Sequence, residues 1–285
     1  MFLCATRLKS VPVNDFSPVT PKIMTTEYRA PALEKGLAIL ELLAAQDEPL
    51  TKKQIAERLN RSVNEIFRML SVLQEQHYID YKEDVSGYVL TLKMFTLSNQ
   101  HPPVAMLLKR AGSLMEQLCL QVNQSCHLSQ YSNGQLVVIA RQESPYKMGF
   151  SLRTGAHLDI CASGSGIVLL SYSEESERQR MIALDDATDE QVAYARSQIA
   201  TTIEQGYYQG ESPQISGVTN ISAPVFGARG DLLAVITVPY MTLNTRTVHH
   251  PVEDIEHTRQ ALLAVASQLS QHIISRCDSS ESSPC

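Results

Sequence analysis

The apolar residues that follow Ala32 repeat with the period of an α-helix. Four of them recur at spacings of four, three and four residues, which places them on one helix face: Leu33, Leu37, Leu40 and Ala44. Asp47-Glu48-Pro49 then closes the segment. The pattern predicts a first helix that begins near Ala32.

Two N-terminal helix signatures follow in close succession. Thr51-Lys52-Lys53-Gln54 and Ser62-Val63-Asn64-Glu65 both have the form of a capping box, in which a hydroxyl and a longer polar side chain satisfy each other's backbone N–H groups. The boxes lie eleven residues apart, with a tight turn predicted at Asn60-Arg61. This spacing is typical of a helix-turn-helix. The second helix carries an apolar stripe with i, i+3, i+4, i+7 spacing: Val63, Ile66, Phe67, Leu70 and Leu73.

Two short alternating segments come next. Tyr78–Tyr81 and Tyr88–Leu90 read as strands, and the segment 83–87 supplies the turn between them. A helix, a helix-turn-helix and a β-hairpin together form a winged helix. We assign it to residues 30–100.

The second half of the chain predicts an α+β domain. Pro102-Pro103 precedes a helical stretch, Val104–Asn123, and we interpret 101–123 as a linker helix. After it the period changes to two, and residues 124–276 mix strands and helices. The predicted strands are His127–Tyr131, Leu136–Arg141, Tyr146–Leu152, Val218–Val225 and Leu232–Val238; the predicted helices are Ser163–Ser171, Ser176–Met181, Asp189–Gln205 and a last one that carries Ile255, Leu262, Ala266, Leu269 and Ile273.

Both ends of the chain lack a sustained pattern. Residues 1–29 are rich in Pro, Ser, Thr and Asn, and indicate either a flexible tail or a gene start placed upstream of Met24. Residues 277–285 are expected to be a disordered tail. No apolar run approaches the roughly 20 residues of a membrane span, and no apolar block follows Arg7 and Lys9 as in a secretory signal. We therefore expect a cytoplasmic protein of about two domains.

The charge distribution favours a DNA-facing surface in the helix-turn-helix. The chain has a net charge of −6, yet the stretch from Thr51 to Leu70 holds five basic residues against two acidic ones. Arg68 pairs well with guanine and Asn64 with adenine, and both lie opposite the apolar stripe of the second helix. The predicted double-stranded DNA contacts are Lys52, Lys53, Arg61, Ser62, Asn64, Glu65, Arg68 and Lys82.

Plainer interpretations of the same residues remain open. Basic side chains on an amphipathic helix are often only a solvated face, and helix-turn-helix units also occur in proteins that bind only protein. The capping box would occupy the Glu65 side chain. The wing tip carries Glu83 and Asp84, so only Lys82 and Ser86 are suited to phosphates there.

The polar side chains give no sign of a metal, a cofactor or a catalytic centre. The six cysteines form no C-x-x-C pair and are expected to be reduced thiols. Ser163-Gly164-Ser165-Gly166 lacks the pattern of a phosphate loop. His249, His250 and His257 are expected on a solvated face. Ser163 or Cys161 with His157 would lack an orienting acid, so we expect no enzyme.

The order of these segments resembles the isocitrate lyase regulator (IclR) family, from about Ala32 to Ile273. The first helix, the two helices of the pair and the wing all contribute, and so do two stretches of the second half. The segments that carry the resemblance are 32–40, 50–56, 66–73, 87–90, 155–158, 162–166 and 217–226.

The resemblance implies a GAF-like or profilin-like effector-binding domain, dimers that associate into tetramers, and control of a nearby operon. In that family the effector lies between the sheet and the loop and helix after the Gly/His segment, where helix N–H groups suit a carboxylate. A small organic acid is therefore the expected ligand. The implied contacts are Leu158, Gly164, Ser165, Val218, Asn220 and Thr237.

This chain departs from the family pattern inside the implied pocket. Ser165-Gly166-Ile167 stands where many members have a small residue and then Lys, and Asn220 stands where many have Cys. Pro239-Tyr240 replaces a small polar residue and glycine. We expect a regulator that reads a palindromic operator as a dimer under effector control. The alternative is a ligand-independent winged-helix regulator whose second domain serves only oligomerisation.

Overall fold

A computed structural model describes residues 30–100, 102–145, 149–242 and 254–280. The chain divides into two compact units, with the boundary between His101 and Pro102. The segment 1–29, predicted as a tail, lies outside the described residues. None of the described helices is long and apolar enough to cross a bilayer.

The first unit is a winged helix-turn-helix, as predicted. Its two-stranded hairpin is antiparallel and pairs Ile79 with Leu90. Leu50 adds one further bridge to Tyr88 at the base of the wing. The elements of this unit are α1 (Pro31–Ala44), α2 (Lys52–Arg58), α3 (Val63–Glu75), β1 (Ile79–Lys82), β2 (Gly87–Leu90) and α4 (Lys93–Asn99).

The apolar face of α1 differs from the predicted one. Ile39 and Leu43 are buried in the core of the first unit, whereas Leu33 and Leu37 are 63% and 49% exposed. The prediction of the face was wrong because α1 carries two neighbouring apolar stripes. Periodicity identifies the helix, but only its neighbours decide which stripe they cover.

The second unit is an α+β domain. Four strand predictions and three helix predictions correspond to observed elements with small shifts of their ends, and a fourth helix, α8, has the predicted bounds. The elements are α5 (Pro102–Val122), β3 (Cys126–Ser132), β4 (Gln135–Gln142), β5 (His157–Leu158), α6 (Gly164–Ser171), α7 (Glu175–Leu184), α8 (Asp189–Gln205), β6 (Tyr208–Glu211), β7 (Val218–Phe226), β8 (Leu232–Met241) and α9 (Ile255–Ser280).

The six strands form one antiparallel sheet in the order β5-β4-β3-β8-β7-β6. Helices α5 and α9 cover one face, and α6, α7 and α8 pack on the other. Because side chains alternate along a strand, Ile221 and Ile236 enter the core under α5 and α9. Asn220 and Thr237 consequently face the α6 side.

Three of the predicted segments differ from the structure. Residues 149–152 form no strand, while 146–148 lie outside the described residues. Their neighbour His157–Leu158 pairs with β4 instead. The expected linker helix, α5, packs into the core of the second unit beside α9. Helix α9 continues to Ser280, into the segment predicted as a disordered tail, because no Gly or Pro interrupts it before Pro284.

The three cysteines with described side chains are free thiols in the core. Cys119 and Cys126 lie with their sulfur atoms 3.4 Å apart, and Cys161 is buried near α6. Burial raises the pKa of the Cys161 thiol to about 12, with a smaller contribution from Asp185. A thiol held in its protonated form is a poor nucleophile.

Candidate functional site

Both predicted capping boxes are present in the helix-turn-helix. The Thr51 hydroxyl accepts from Gln54 N at 3.3 Å, and Gln54 Oε1 accepts from Thr51 N at 2.8 Å. Ser62 and Glu65 make the same reciprocal pair at the start of α3. Between them Asn60 adopts a positive φ of 50°, which an asparagine tolerates well. The local sequence thereby sets the tight turn between the two helices.

The burial of α3 defines its outward face. Ile66 and Leu70 are fully buried against α1 and α2, whereas Asn64 and Arg68 are exposed on the opposite side. Residues near the N-terminus of such a helix are those that reach base edges. The prediction that Asn64 and Arg68 point away from the core is confirmed.

Some of the basic residues around α3 form ion pairs with acidic side chains, and others do not. Lys53 pairs with Glu57 at 3.7 Å, and Lys82 pairs with Asp80 at 2.8 Å, which raises the pKa of the Lys82 ammonium. Across the described part of the chain, Arg61 and Arg68 have no ion-pair partner. The two arginines therefore keep their charge open to a phosphate or a base.

Glu65 is used inside the unit. Its carboxylate accepts from Lys35 Nζ at 2.6 Å and from Ser62 Oγ at 2.9 Å. The Lys35 hydrogen bond, and then those from Ser62, lower the pKa of Glu65 to about 2. Among the predicted DNA contacts, this side chain is occupied with holding α3 to α1.

Phe67 is a surface residue that periodicity assigned to the core. Half of its side chain is exposed, and Lys52 Nζ lies 4.4 Å from the ring centroid. Val63 is also exposed, one turn closer to the helix start. An apolar group beside Arg68 is suited to contact with a thymine methyl group. The apolar spacing placed Phe67 in the buried stripe of α3, so the spacing alone could not show that this ring lies on the surface beside Arg68.

The second unit holds a cavity between the sheet and the start of α6. It is small, with about 20 Å³ of space for the centre of a water molecule, and it opens to solvent on one side. One wall is the sheet and the other is the N-terminal turn of α6, with loop residues closing the sides. The lining consists of His127, Phe150, Leu152, Leu158, Ala162, Ser163, Gly164, Ser165, Ser212, Pro213, Gln214, Asn220, Thr237 and Pro239.

A chain of buried hydroxyl groups crosses the floor of this cavity. Thr237 Oγ1 donates to Ser222 Oγ at 2.8 Å and lies 2.9 Å from Ser165 Oγ. His127 Nε2 lies 3.5 Å from the same Ser165 oxygen. Polar groups in a core cost free energy unless they are hydrogen-bonded. These bonded groups form a polar patch on the side of the sheet that faces α6.

Two glycines let α6 pack closely, Gly164 against the sheet and Gly166 against the loop that precedes the helix. A Cβ on Gly164 would lie 2.7 Å from Ser222 Oγ, and one on Gly166 would lie 2.0 Å from the carbonyl oxygen of Ile160. Both distances are below ordinary van der Waals contact. Ser163 caps the helix by accepting from Gly166 N at 3.1 Å. The positive end of the helix dipole therefore lies in the cavity wall.

The two units match two family profiles. Residues 103–271 match the bacterial transcriptional regulator IclR C-terminal domain, and residues 32–83 match the IclR helix-turn-helix domain. This chain belongs to the IclR family. It is accordingly a transcriptional regulator with a DNA-binding helix-turn-helix, and its curated relatives are named as regulators and repressors rather than enzymes.

Two curated relatives show how low the sequence identity within the family is. The regulator KdgR of Dickeya chrysanthemi is 23% identical over 247 residues, which cover 82% of this chain and 76% of KdgR. The repressor AllR of Salmonella typhimurium is 22% identical over 220 residues, which cover 75% of this chain and 81% of AllR.

Solved structures agree with the fold. An IclR homolog from Microbacterium hydrocarbonoxydans, complexed with 4-hydroxybenzoate, gives a TM-score of 0.72 at 16% identity, with 86% of this chain and 99% of that chain covered. The IclR protein of Thermotoga maritima gives 0.65 at 19% identity, with 85% and 98% covered.

Five of the six residues implied by the IclR resemblance line the cavity together: Leu158, Gly164, Ser165, Asn220 and Thr237. Val218 is buried but does not line it, because its partner in register is Met241, beyond Pro239 on β8. Sequence reasoning missed His127, whose strand was predicted correctly. A histidine among the inward positions of that strand was the available signal.

The described residues contain no cluster of three or more potential metal ligands. His257 lies with its Nε2 3.2 Å from Gln121 Nε2, whereas His249 and His250 lie outside the described residues.

Proposed function

We propose that this IclR-family regulator binds a palindromic operator as a dimer or tetramer, and that a small organic acid in the α6 cavity modulates that binding. The observation that carries the proposal is the cavity itself. It joins a buried hydroxyl chain, Ser165, Thr237 and Ser222, to the positive end of α6. A carboxylate is the small group best matched to such a wall.

The proposed DNA contacts lie on and around α3. Asn64 and Arg68 would read base edges, while Arg61, Ser62, Lys52, Lys53 and Lys82 would contact phosphates. Two copies of α3 in a symmetric dimer would read consecutive major grooves, so that the operator mirrors the two-fold axis. A regulator that binds DNA would act in the cytoplasm, where bacterial DNA lies.

Thermal-shift and operator-binding measurements together test whether a small organic acid binds and modulates DNA binding. The purified chain is screened against aliphatic, aromatic and sugar acids, and an operator is obtained by in vitro selection from random duplex DNA. An effector present at 100 times its Kd adds about 2.7 kcal/mol of stability, which is a visible shift. The same acid must change the Kd for the selected operator, since only a differential affinity for two states can move the equilibrium.

A matched pair of variants tests whether the acid binds in the α6 cavity. Ser165→Ala removes a hydroxyl from the cavity floor, whereas Ser171→Ala removes one that only bonds to the Ile167 carbonyl at 2.7 Å on the same helix. The proposal expects Ser165→Ala to weaken the acid and Ser171→Ala to leave it unchanged. If no acid shifts stability or operator affinity, the second unit serves oligomerisation only.

A further inference from the structure

Among the described residues, His127 is the one histidine that lines the cavity. It is 4% exposed on β3, and its Nδ1 has no hydrogen-bond partner among the described residues. Leaving a buried polar nitrogen unpaired costs free energy. A ligand that bonds to this nitrogen recovers that free energy.

The hydroxyl chain determines which ring nitrogen carries the proton. Thr237 donates its single proton to Ser222, so Ser165 must be the donor to Thr237. The Ser165 oxygen is then left to accept, and the group facing it at 3.5 Å is Nε2 of His127. Neutral His127 therefore carries its proton on Nε2 and presents a lone pair at Nδ1. A carboxylate oxygen is repelled by that lone pair and attracted by an N–H in its place.

The groups around His127 offer no other counter-charge for an anion. Arg141 is its cross-strand neighbour on β4, but it pairs with Glu143 at 2.9 Å and donates to Ser151. The β8 and α6 neighbours, Thr237 and Ser165, do not ionise. No Lys or Arg lines the cavity within the described ranges.

The acidic groups near the cavity cannot balance the charge of an anionic ligand. Burial raises the pKa of Asp159, whose side chain is hydrogen-bonded to Gln214 at the rim. Tyr208, which packs on Gly164, has its hydroxyl 3.1 Å from that of Tyr194. Burial also raises the pKa of the Cys161 thiol. An anion buried here without a cation would carry a large desolvation cost.

We propose that His127 binds the effector carboxylate through Nδ1 and that one proton is taken up from solvent as the complex forms. The proposal rests on the proposed function and specifies its ligand chemistry. The balance is simple: the neutral imidazole gains one proton at Nδ1 and becomes imidazolium, and the ligand remains a carboxylate. No covalent bond of the ligand changes.

Proton uptake makes the affinity depend on pH. Burial lowers the pKa of free His127 to about 4, and a bound carboxylate raises it. Between the free and the bound pKa values, the affinity for an acid rises about tenfold for each pH unit lowered. Above the bound value the slope vanishes. A neutral amide that donates N–H to the Nδ1 lone pair takes up no proton and shows no slope.

The experiment is isothermal titration calorimetry on the full chain between about pH 5 and pH 8, in buffers of differing ionisation enthalpy. The probes are acetate, pyruvate, succinate, benzoate and 4-hydroxybenzoate, each paired with its amide. We expect an acid that binds to take up close to one proton in the lower part of this range, and its amide to take up none. An acid that binds without proton uptake overturns this inference and leaves the proposed function standing. No binding by any acid overturns both.

Three variants identify the group that takes up the proton. His127→Gln keeps a donor toward Ser165 without an ionisable nitrogen, so it should lose the uptake and most of the affinity. His127→Asn places an amide N–H near the Nδ1 position, so it should bind the acid with no pH slope. His157→Gln, at an exposed histidine of β5, should behave as the parent chain. If proton uptake persists in both His127 variants, the ligand or another group takes up the proton and the inference fails.

Discussion

Lys35 on α1 and Glu65 on α3 are joined by an ion pair of 2.6 Å, and the same carboxylate closes the capping box at Ser62. The Glu65 side chain therefore fixes both the first turn of α3 and the position of α3 against α1. The orientation of Asn64 and Arg68 depends on this arrangement. The acidic residue in the first turn of α3 thus has a structural role, and Arg61 and Arg68 have no ion-pair partner among the described residues.

Replacing Glu65 with Gln should lower the Tm of the first unit and leave the operator sequence preference unchanged. Because the pKa of Glu65 is lowered from 4.5 to about 2, its contribution is present above pH 4.5 and is lost as the pH falls toward 2. Added salt should weaken it as well, since the pair is partly exposed. A changed base preference in E65Q would contradict this role. Thermal melts and in vitro selection measure both quantities.

Arg68→Ala should lower affinity for the selected operator by about 1–3 kcal/mol and relax the preference at one base position. Arg61→Ala, by contrast, should weaken all sequences alike and reduce the salt slope of log K by about one. Fluorescence anisotropy on operator and mutated duplexes, at several salt concentrations, separates the two effects. Equal losses on every duplex with R68A would show that Arg68 contacts only the backbone.

Phe67→Ala should weaken operator binding with little change in Tm. Phe67 is 50% exposed, so its loss opens no core cavity. Val72→Ala is the matched control, because Val72 is 53% exposed on the opposite flank of the same helix. A large fall in Tm for F67A, or an equal loss of binding for V72A, would show that the ring does not face DNA.

His127 should make the second unit sensitive to acid. Burial lowers the pKa of His127 from 6.5 to about 4, so between these values the unfolded chain binds the additional proton. Stability is therefore full above pH 6.5 and falls as the pH decreases toward 4, by up to about 3 kcal/mol in total. Without ligand, H127Q should flatten this part of the pH profile of Tm. An unchanged profile would mean that His127 is not held neutral.

Gly166→Ala should destabilise the second unit by about 1–3 kcal/mol or more, since the new Cβ meets backbone rather than a movable side chain. Gly112→Ala in α5 is the control. No atom lies within 4 Å of its added Cβ, so it should gain about 0.5–1 kcal/mol from the higher helix propensity of alanine. Urea unfolding monitored by circular dichroism compares the two. A neutral G166A would show that α6 can shift away from the backbone of Ile160.

The sequence was most informative where the interacting residues lie within one helical turn. The capping boxes at Thr51 and Ser62 connect residues three positions apart, and both were found. Helix α8 has the predicted bounds because Thr188 caps its start and Gly206, at a φ of 81°, ends it. Such signals act before any distant part of the chain is in place.

Predictions failed where a segment's structure depends on contacts with residues far away in the sequence. The strand Tyr208–Glu211 carries little β pattern of its own and exists because β7 pairs with it. The buried stripe of α1 depends on which side α3 covers. Residues 149–152 alternate like a strand, yet they form part of the loop beside the cavity.

By itself the sequence determined the winged helix-turn-helix, the α+β class of the second unit and the outward direction of Arg68, because periodicity and caps are local. Only the tertiary structure brought His127 to Ser165, 38 residues away, and Ser165 to Thr237, 72 residues further on. No local pattern encodes such a meeting. It arises when the antiparallel sheet sets the register of β3 and β8 and the close approach of α6 completes the polar floor.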